Sequence, residues 1–465
     1  MTKEIFDIVV IGAGPAGYAA AIRTAQLGFK VCLIEKDTSG LGGTCLNRGC
    51  IPTKILAGSA HLLEDIKKAQ RFGIQTGGIG FEYKTLKRHK ERVLKELRQG
   101  LAFVLKKNKI TVKYGFGRFA DKNSIEIEHE SGTEVVQAHH IICATGSDPA
   151  PFPGMDGKRI IDTTHALELD ELPKSMIIVG GSVSGCEFAS IYKSFGVDIT
   201  IIEMMDSILT LPHMEKEIIE ELLSVFVRSG IKIICGVRII SAQRRGERVV
   251  VYFEERGEKK SKETDMVLIA AGRKLLTDNL NLASVGVKIG GQGEVMTDGD
   301  FRTQCDTIRA IGDISGIPML AHRAYAQAKA VSADIKGQKH SFDLRTIPCC
   351  IFTNPPISMV GLSEDEALKA GKKVKTGVFP FEYLGIARSL DKTEGFVKIV
   401  CDQKDTVVGG HIIGHHATEL IQEISLAMSK GLTVKDITHV IHPHPTFSEA
   451  LLEAGENVLG EALHM

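Results

Sequence analysis

The strongest constraint on this chain is a pattern that occurs twice. Phe6 to Ile11 reads as a short apolar strand, followed by Gly12-Ala13-Gly14-Pro15-Ala16-Gly17 and a helical stretch, Tyr18 to Leu27. A second strand, Val31 to Ile34, then ends at Glu35. The order recurs as Met176 to Val179, Gly180-Gly181-Ser182-Val183-Ser184-Gly185, the helical stretch Cys186 to Phe195, and Ile199 to Ile202 ending at Glu203. In both copies the first glycine stands 23 positions before the acid. Strand, G-x-G-x-x-G, helix, strand, acid describes a dinucleotide-binding unit. The first glycine makes a tight turn, the second admits a pyrophosphate, and the third packs helix on strand. The helix N-terminus faces the phosphates, and the acid accepts hydrogen bonds from a ribose. In the second copy Ser182 replaces the middle glycine, where its side chain can either crowd the pyrophosphate or donate to it. Met204, Met205 and Asp206 follow Glu203, with no arginine for a 2′-phosphate, which favours NAD over NADP. Two such units imply one cofactor held permanently and one that comes and goes.

Three further apolar strands close on glycine: Ile141 to Cys143 before Ala144-Thr145-Gly146, Val267 to Ile269 before Ala270-Ala271-Gly272-Arg273, and Ile308 to Ile311 before Gly312-Asp313. The acid of the last can bind a flavin ribityl chain. At 465 residues the chain calls for two to four domains. Its 57 basic side chains balance 57 acidic ones, which gives no bulk attraction to nucleic acid or membrane. No apolar run is long enough to span a bilayer. Ile8 to Ile22 has the apolar character of a leader peptide, but Glu4 and Asp7 precede it and its glycines belong to the first repeat. The expected location is therefore the cytoplasm. Lys84 to Lys109 reads as a charged amphipathic helix with a scaffold role.

Of the ten cysteines, Cys32, Cys143, Cys186 and Cys235 fall in apolar patterns and read as buried small hydrophobes, and Cys349-Cys350 opens an apolar strand. Cys45 and Cys50 differ: they lie five positions apart in the glycine-rich segment Gly42-Gly43-Thr44-Cys45-Leu46-Asn47-Arg48-Gly49-Cys50-Ile51-Pro52-Thr53-Lys54. Zinc sites use shorter spacings and a second ligand pair, so no metal is expected. A dithiol relay beside a bound cofactor fits better. Near the C-terminus, His444 lies in a proline-flanked segment with Glu449 five residues on, an arrangement that suits a base oriented by a carboxylate or a loop histidine beside a helix cap.

Taken together, these motifs resemble the flavin-dependent pyridine nucleotide–disulfide oxidoreductases from end to end. Ala310-Ile311-Gly312-Asp313, Pro318-Met319-Leu320-Ala321-His322 and His442-Pro443-His444-Pro445-Thr446-Phe447-Ser448-Glu449 complete the match, most closely to the dihydrolipoamide-oxidising branch. The resemblance implies an α/β fold: two Rossmann-like dinucleotide-binding domains and an α+β C-terminal dimerisation domain. Residues 1–148 would form the FAD domain, 149–272 the NAD domain, 273–345 a central segment completing the FAD site, and 346–465 the interface domain. FAD would be held by Gly12, Gly14, Pro15, Ala16, Gly17, Glu35, Lys36, Gly43, Thr44, Cys45, Lys54, Gly117, Thr145, Gly146, Ser147, Asp313, Leu320, Ala321 and His322. NAD would be held by Gly180, Gly181, Ser182, Val183, Ser184, Glu203, Ile239, Ala271, Gly272 and Arg273.

By the same resemblance, Cys45 meets the substrate and Cys50 lies against the flavin as a thiolate. Lys54 and Glu187 form a buried ion pair near the reactive flavin nitrogen. His444, oriented by Glu449 and supplied by the partner of a homodimer, is the base, with His442 in support. The implied partners are lipoyl domains on the acyltransferase core of 2-oxo acid dehydrogenase or glycine cleavage complexes. Three other readings compete. Glutathione-type reductases use NADPH, against Glu203. Mercuric reductases carry a cysteine pair near the C-terminus, absent from Gly460 to Met465. A mainly structural flavoprotein subunit would not need the intact cysteine pair. Asn354 and Gly414-His415-His416 depart from the family pattern.

Overall fold

The computed structural model describes residues 4–339 and 343–465. The first repeat folds as β1 (Glu4–Ile11), α1 (Pro15–Gln26) and β2 (Val31–Glu35). α1 begins three residues earlier than the sequence pattern indicates. Pro15 occupies its first position, where the ring presets a helical φ and the missing N–H has no intrahelical acceptor to lose. In the second repeat the helix likewise starts early and spans Val183–Ser194. The long charged helix spans Tyr83–Lys107, and Lys109 just beyond it adopts a left-handed φ of 56°.

β1 lies in the parallel part of a seven-stranded sheet, between β2 and the long strand Gly132–Cys143. It is apolar almost throughout because both its faces are buried. Ile8 and Val10 pack with Ala20 and Ala21 of α1 and Ala324 and Ala328 of the helix Ala321–Ile335, while Phe6, Val9 and Ile11 share a cluster with Phe119, Ile125 and Leu280. Gly132–Cys143 is long enough to use its far edge twice. Its first half pairs antiparallel with Ser124–His129, and its last residues pair parallel with Ile308–Ala310. That second pairing brings Gly312 and Asp313 back to the first unit, and Gln327, fully buried, accepts the Gly312 N–H at 2.7 Å.

The second unit is an all-parallel sheet in the order Lys232–Ile234, Asp198–Ile202, Ser175–Val179, Met266–Ile269, Ile160–Asp162. A two-stranded antiparallel ribbon, Ser147–Pro149 against Arg273–Leu275, joins the residues on either side of it in the chain. The C-terminal part is a five-stranded antiparallel sheet ordered Cys349–Ile351, Ile357–Gly361, Val407–Gly414, Gly395–Asp402, Val374–Pro380. The helices Ala417–Lys430 and Glu449–Leu459 pack on this sheet.

The cysteine segment forms two helices, α2 (Gly43–Arg48) and α3 (Cys50–Lys68), separated by Gly49. Leu56 and Ala57 of α3 share one buried cluster with Ile178 and Phe188 of the second unit and with Ile351 and Ile413 of the C-terminal sheet. Burying a leucine such as Leu56 stabilises by about 1.5–3 kcal/mol. Helix α3 is therefore anchored on all three parts of the chain. Among the described residues, no helix is long and apolar enough to cross a membrane.

Candidate active site

Each glycine loop is tied to its acid in the same way. The Ala13 N–H donates to Glu35 Oε2 at 2.9 Å, and the Asp37 N–H donates to Oε1 at 3.2 Å. In the second unit the Gly181 N–H donates to Glu203 Oε2 at 2.5 Å, and the Met205 N–H donates to Oε1 at 2.8 Å. The glycines themselves divide by role. A Cβ on Gly12 would fall 2.4 Å from Ala144 O, and one on Gly17 would fall 1.7 Å from Gly12 O. Their absence of side chain is required by the protein's own packing. A Cβ on Gly14 would meet nothing nearer than Gly43 Cα, at 3.9 Å. Gly14 therefore faces open space at the start of α1, with room for a ligand.

Ser182 holds the corresponding place in the second unit. It is exposed, in extended backbone, and its hydroxyl does not cap its own helix. No side chain caps α1 either, so the N-terminal amides of both helices are free to face an anion.

A cleft of about 810 Å³ opens beside the first glycine loop. It is lined by all the residues expected to hold FAD except Gly17, whose position is internal packing. The open space at Gly14, the uncapped amides and the carboxylates of Glu35 and Asp313 form a donor and acceptor set that fits a dinucleotide with a pyrophosphate and polyol chain. Val183, Ser184 and Arg273, expected at the NAD site, also border this cleft, whereas Gly180, Gly181, Ser182, Glu203, Ile239, Ala271 and Gly272 do not. Arg273 is drawn there by the ribbon. Its Nε donates to Ser147 Oγ and its second guanidinium nitrogen to Ser147 O, both at 2.7 Å, while Ser147 Oγ donates to Asp313 at 2.5 Å.

Cys45 and Cys50 both line the cleft and stand as free thiols. Gly42 and Gly43, with φ of 91° and 60°, let α2 begin directly against the first loop. A Cβ on Gly43 would fall 2.4 Å from Gly14 Cα. Cys50 is the first residue of α3, where helix amides favour an anion. A hydrogen bond from the Cys45 thiol is the largest influence on Cys50 and lowers its pKa to about 7; burial opposes this, and Lys54 assists. Cys45, donating that bond, is pushed far up. The reduced pair thus carries its negative charge on Cys50.

Lys54, one turn along α3, donates to both carboxylate oxygens of Glu187 at 3.1 and 3.0 Å. Glu187 is buried on the second unit's helix, and its Oε1 also accepts the Phe352 N–H at 2.8 Å. The Lys54 ammonium lies 4.2 Å from the centre of the Phe352 ring. Phe352 has no local sequence signal for this place, since the contact spans 165 positions.

His444 and Glu449 do not border the cleft of their own chain. His444 Nδ1 lies 2.7 Å from Glu449 Oε1, and Glu449 Oε2 accepts the Thr446 N–H at 2.8 Å, which fixes the carboxylate. The His444 side chain is 77% exposed. His442 Nε2 lies 3.1 Å from Glu423, whose hydrogen bond raises the His442 pKa.

Residues 6–328 match the family model described as pyridine nucleotide-disulphide oxidoreductase, and residues 347–455 match that family's dimerisation domain. The chain belongs to the pyridine nucleotide-disulphide oxidoreductase family, whose members use FAD and NAD(H). It is 40% identical over 466 residues to a protein named dihydrolipoyl dehydrogenase from Chlamydia pneumoniae, covering 100% of this chain and 99% of that one. Its identity to the Bacillus subtilis protein of the same name is 38%, covering 99% and 97%. Among solved structures it is similar to LpdA from Mycobacterium tuberculosis, with a TM-score of 0.90, 26% identity and coverage of 97% and 99%. A Cu(II) complex of the flavoprotein disulfide reductase RclA from Escherichia coli gives a TM-score of 0.88, 26% identity and coverage of 98% and 99%.

Proposed function

We infer that this chain, as a homodimer, oxidises protein-bound dihydrolipoamide to lipoamide and reduces NAD+ to NADH. The observation that carries the reading is the thiol pair, with its charge on Cys50, in a cleft bordered by both dinucleotide units. The full-length relatives named dihydrolipoyl dehydrogenase support this choice of dithiol. FAD, when bound, supplies the exchange between two-electron thiol chemistry and hydride chemistry.

The oxidised enzyme begins with a Cys45–Cys50 disulfide. His444 of the second copy takes a proton from the dihydrolipoyl group, and the resulting thiolate attacks Cys45 Sγ. The Cys45–Cys50 bond breaks, Cys50 leaves as the thiolate that the site stabilises, and Cys45 carries a mixed disulfide. Attack by the second substrate sulfur releases lipoamide and returns Cys45 as a thiol, so the substrate has lost two electrons and the enzyme pair has gained them. Glu449 holds the imidazole and stabilises its cation. Lys54 and Glu187 set the charge beside Cys50. The pair of electrons ends on NAD+, with Glu203 and the Gly180–Gly185 loop as the NAD-holding groups and Ser147, Asp313 and Glu35 as FAD-holding groups.

On the same reading, 1–148 and 273–345 together hold FAD, 149–272 takes NAD, and 346–465 pairs the copies. The partner is a lipoyl domain of a 2-oxo acid dehydrogenase or glycine cleavage assembly. The enzyme works in the cytoplasm, where its free thiols persist.

The test is NADH formation by the purified FAD-loaded protein from dihydrolipoamide and NAD+, with NADP+, glutathione disulfide and mercuric ion as comparators. Turnover with NADP+ alone, or none with dihydrolipoamide, refutes the assignment. Cys50→Ser should abolish turnover; a biological output that survives this change would instead mark a structural subunit.

A further inference from the structure

Between His444 and Glu449 the chain has one buried residue, Phe447, which is 5% exposed. The turn around it bonds within itself: the Thr446 hydroxyl donates to Pro443 O at 2.7 Å, and the Thr446 N–H donates to Glu449. Phe447 is therefore the anchor of this turn on the body of the chain. Three rings receive it edge to face. Its ring centre lies 5.3 Å from that of Phe381, 5.0 Å from that of His415 and 5.6 Å from that of His416. The two imidazoles lie against each other, with centres 4.0 Å apart.

His415 and His416 belong to the stretch that departs from the family pattern, in the loop between the strand Val407–Gly414 and the helix Ala417–Lys430. His416 has a left-handed φ of 62°. Glycine adopts that conformation freely, whereas a residue with a side chain is strained there and persists where its surroundings hold it. The stack on His415 and Phe447 is what holds this ring. Burial pushes the His415 pKa down to about 4; His416, Lys392 and His61 act in the same direction and Asp65 opposes them, so the ring is neutral at working pH. We propose that His415 and His416 are positioning residues for the base. Their rings seat Phe447 and so keep His444 aligned with Glu449 and with the thiols of the second copy. This rests on the reading of His444 as the base.

The double variant His415→Ala/His416→Gly removes both rings, and glycine keeps the φ of 62° without strain. It is compared, as the FAD-loaded dimer, with His415→Phe, which retains a ring against Phe447. In the double variant kcat for dihydrolipoamide should fall about tenfold while KM stays within about twofold, because a misaligned base slows proton transfer without altering substrate binding. The acid limb of the kcat/KM profile should move to lower pH, since an imidazole released from its carboxylate binds a proton less tightly. His415→Phe should keep most of the rate. Reduction of ferricyanide by NADH, in which two ferricyanide ions take the two electrons of one NADH, needs no base and should be unchanged.

Mixing the double variant with Cys45→Ser should restore the full rate per intact site, because that site then takes its base from a chain with both rings. An unmoved kcat and pH profile, even with lower thermal stability, would overturn the proposal, as would parallel loss of ferricyanide reduction. Failure of these mixed dimers to recover, where His444→Gln mixed with Cys45→Ser does recover, would overturn it as well. If neither mixture recovers, the base assignment falls, and this proposal with it. Should the double variant not fold, Phe447→Leu, which thins the same contact from the other side, carries the same expectations.

Discussion

Replacing Gly14 by alanine separates what the ligand demands from what the fold demands. Gly14 has φ −71° and ψ −176°, a conformation open to any residue, and the added methyl group would have its nearest neighbour 3.9 Å away. Without cofactor the change should be close to neutral. Alanine is the poorer N-cap by roughly 0.5–1 kcal/mol. Against this, its stiffer unfolded chain returns about 0.4–1 kcal/mol. Gly17→Ala is the control, because its Cβ would lie 1.7 Å from Gly12 O and the helix must move off its strand. Overpacking of that severity should cost about 3 kcal/mol or more.

With FAD present the expectation for Gly14→Ala changes. A methyl group forced into the phosphate's space costs about 1–3 kcal/mol, raising the FAD dissociation constant roughly 5- to 150-fold. Denaturation of FAD-stripped protein followed by circular dichroism measures the first effect, and fluorescence titration with FAD measures the second. The reasoning is refuted if Gly14→Ala destabilises the stripped protein as much as Gly17→Ala does. Unchanged FAD affinity would refute it equally.

Three further outcomes are expected. In the reduced enzyme Cys50 should be a thiolate above a pKa of about 7 and lose its charge as the pH falls through that value. Cys45→Ala removes the largest stabilising contact, so the midpoint in a thiolate absorbance titration should rise by about one unit or more, and an unmoved midpoint would contradict the assignment. His444→Gln should slow dihydrolipoamide oxidation by about 10²–10⁴-fold. Mixing it with equally inactive Cys45→Ser should restore turnover, because each mixed dimer regains one intact site; failure of mixed dimers to recover would place the base elsewhere. Ser182→Gly should lower KM for NAD+ by less than about tenfold, the scale of one perturbed hydrogen bond, and leave reduction by dihydrolipoamide unchanged. A larger shift in KM would mean that Ser182 contacts the cofactor in another way.

The two nucleotide units were legible because their constraints are local. A glycine that must avoid a carbonyl within the same loop leaves its mark within a few residues, and the acid that ties the loop down closes each unit at a fixed spacing. The thiol pair was legible for the same reason: Cys45 and Cys50 stand among the glycines that allow α2 and α3 to form. Even there α1 starts three residues before its apolar pattern does, since Pro15 belongs to the glycine motif in sequence and to the first helical position in the fold. Lys54 and Glu187 were available only through family resemblance, as nothing local links residues 133 positions apart.

Other groupings were decided by tertiary structure alone. Arg273 was expected with NAD, and the ribbon lets its guanidinium hydrogen-bond Ser147 at the border of the cleft beside the first glycine loop. Phe352 reaches Glu187, and Tyr18 meets Tyr325, through docking of helices and strands remote in sequence. His444 carries a base's surroundings in its own segment, yet stands away from its own chain's cleft. The sequence by itself determined the backbone devices: two dinucleotide turns, a thiol pair between glycines, and an imidazole beside a carboxylate. Tertiary structure decided which side chains meet at the thiols, because that depends on how separately formed sheets and helices pack, and no local spacing encodes the packing.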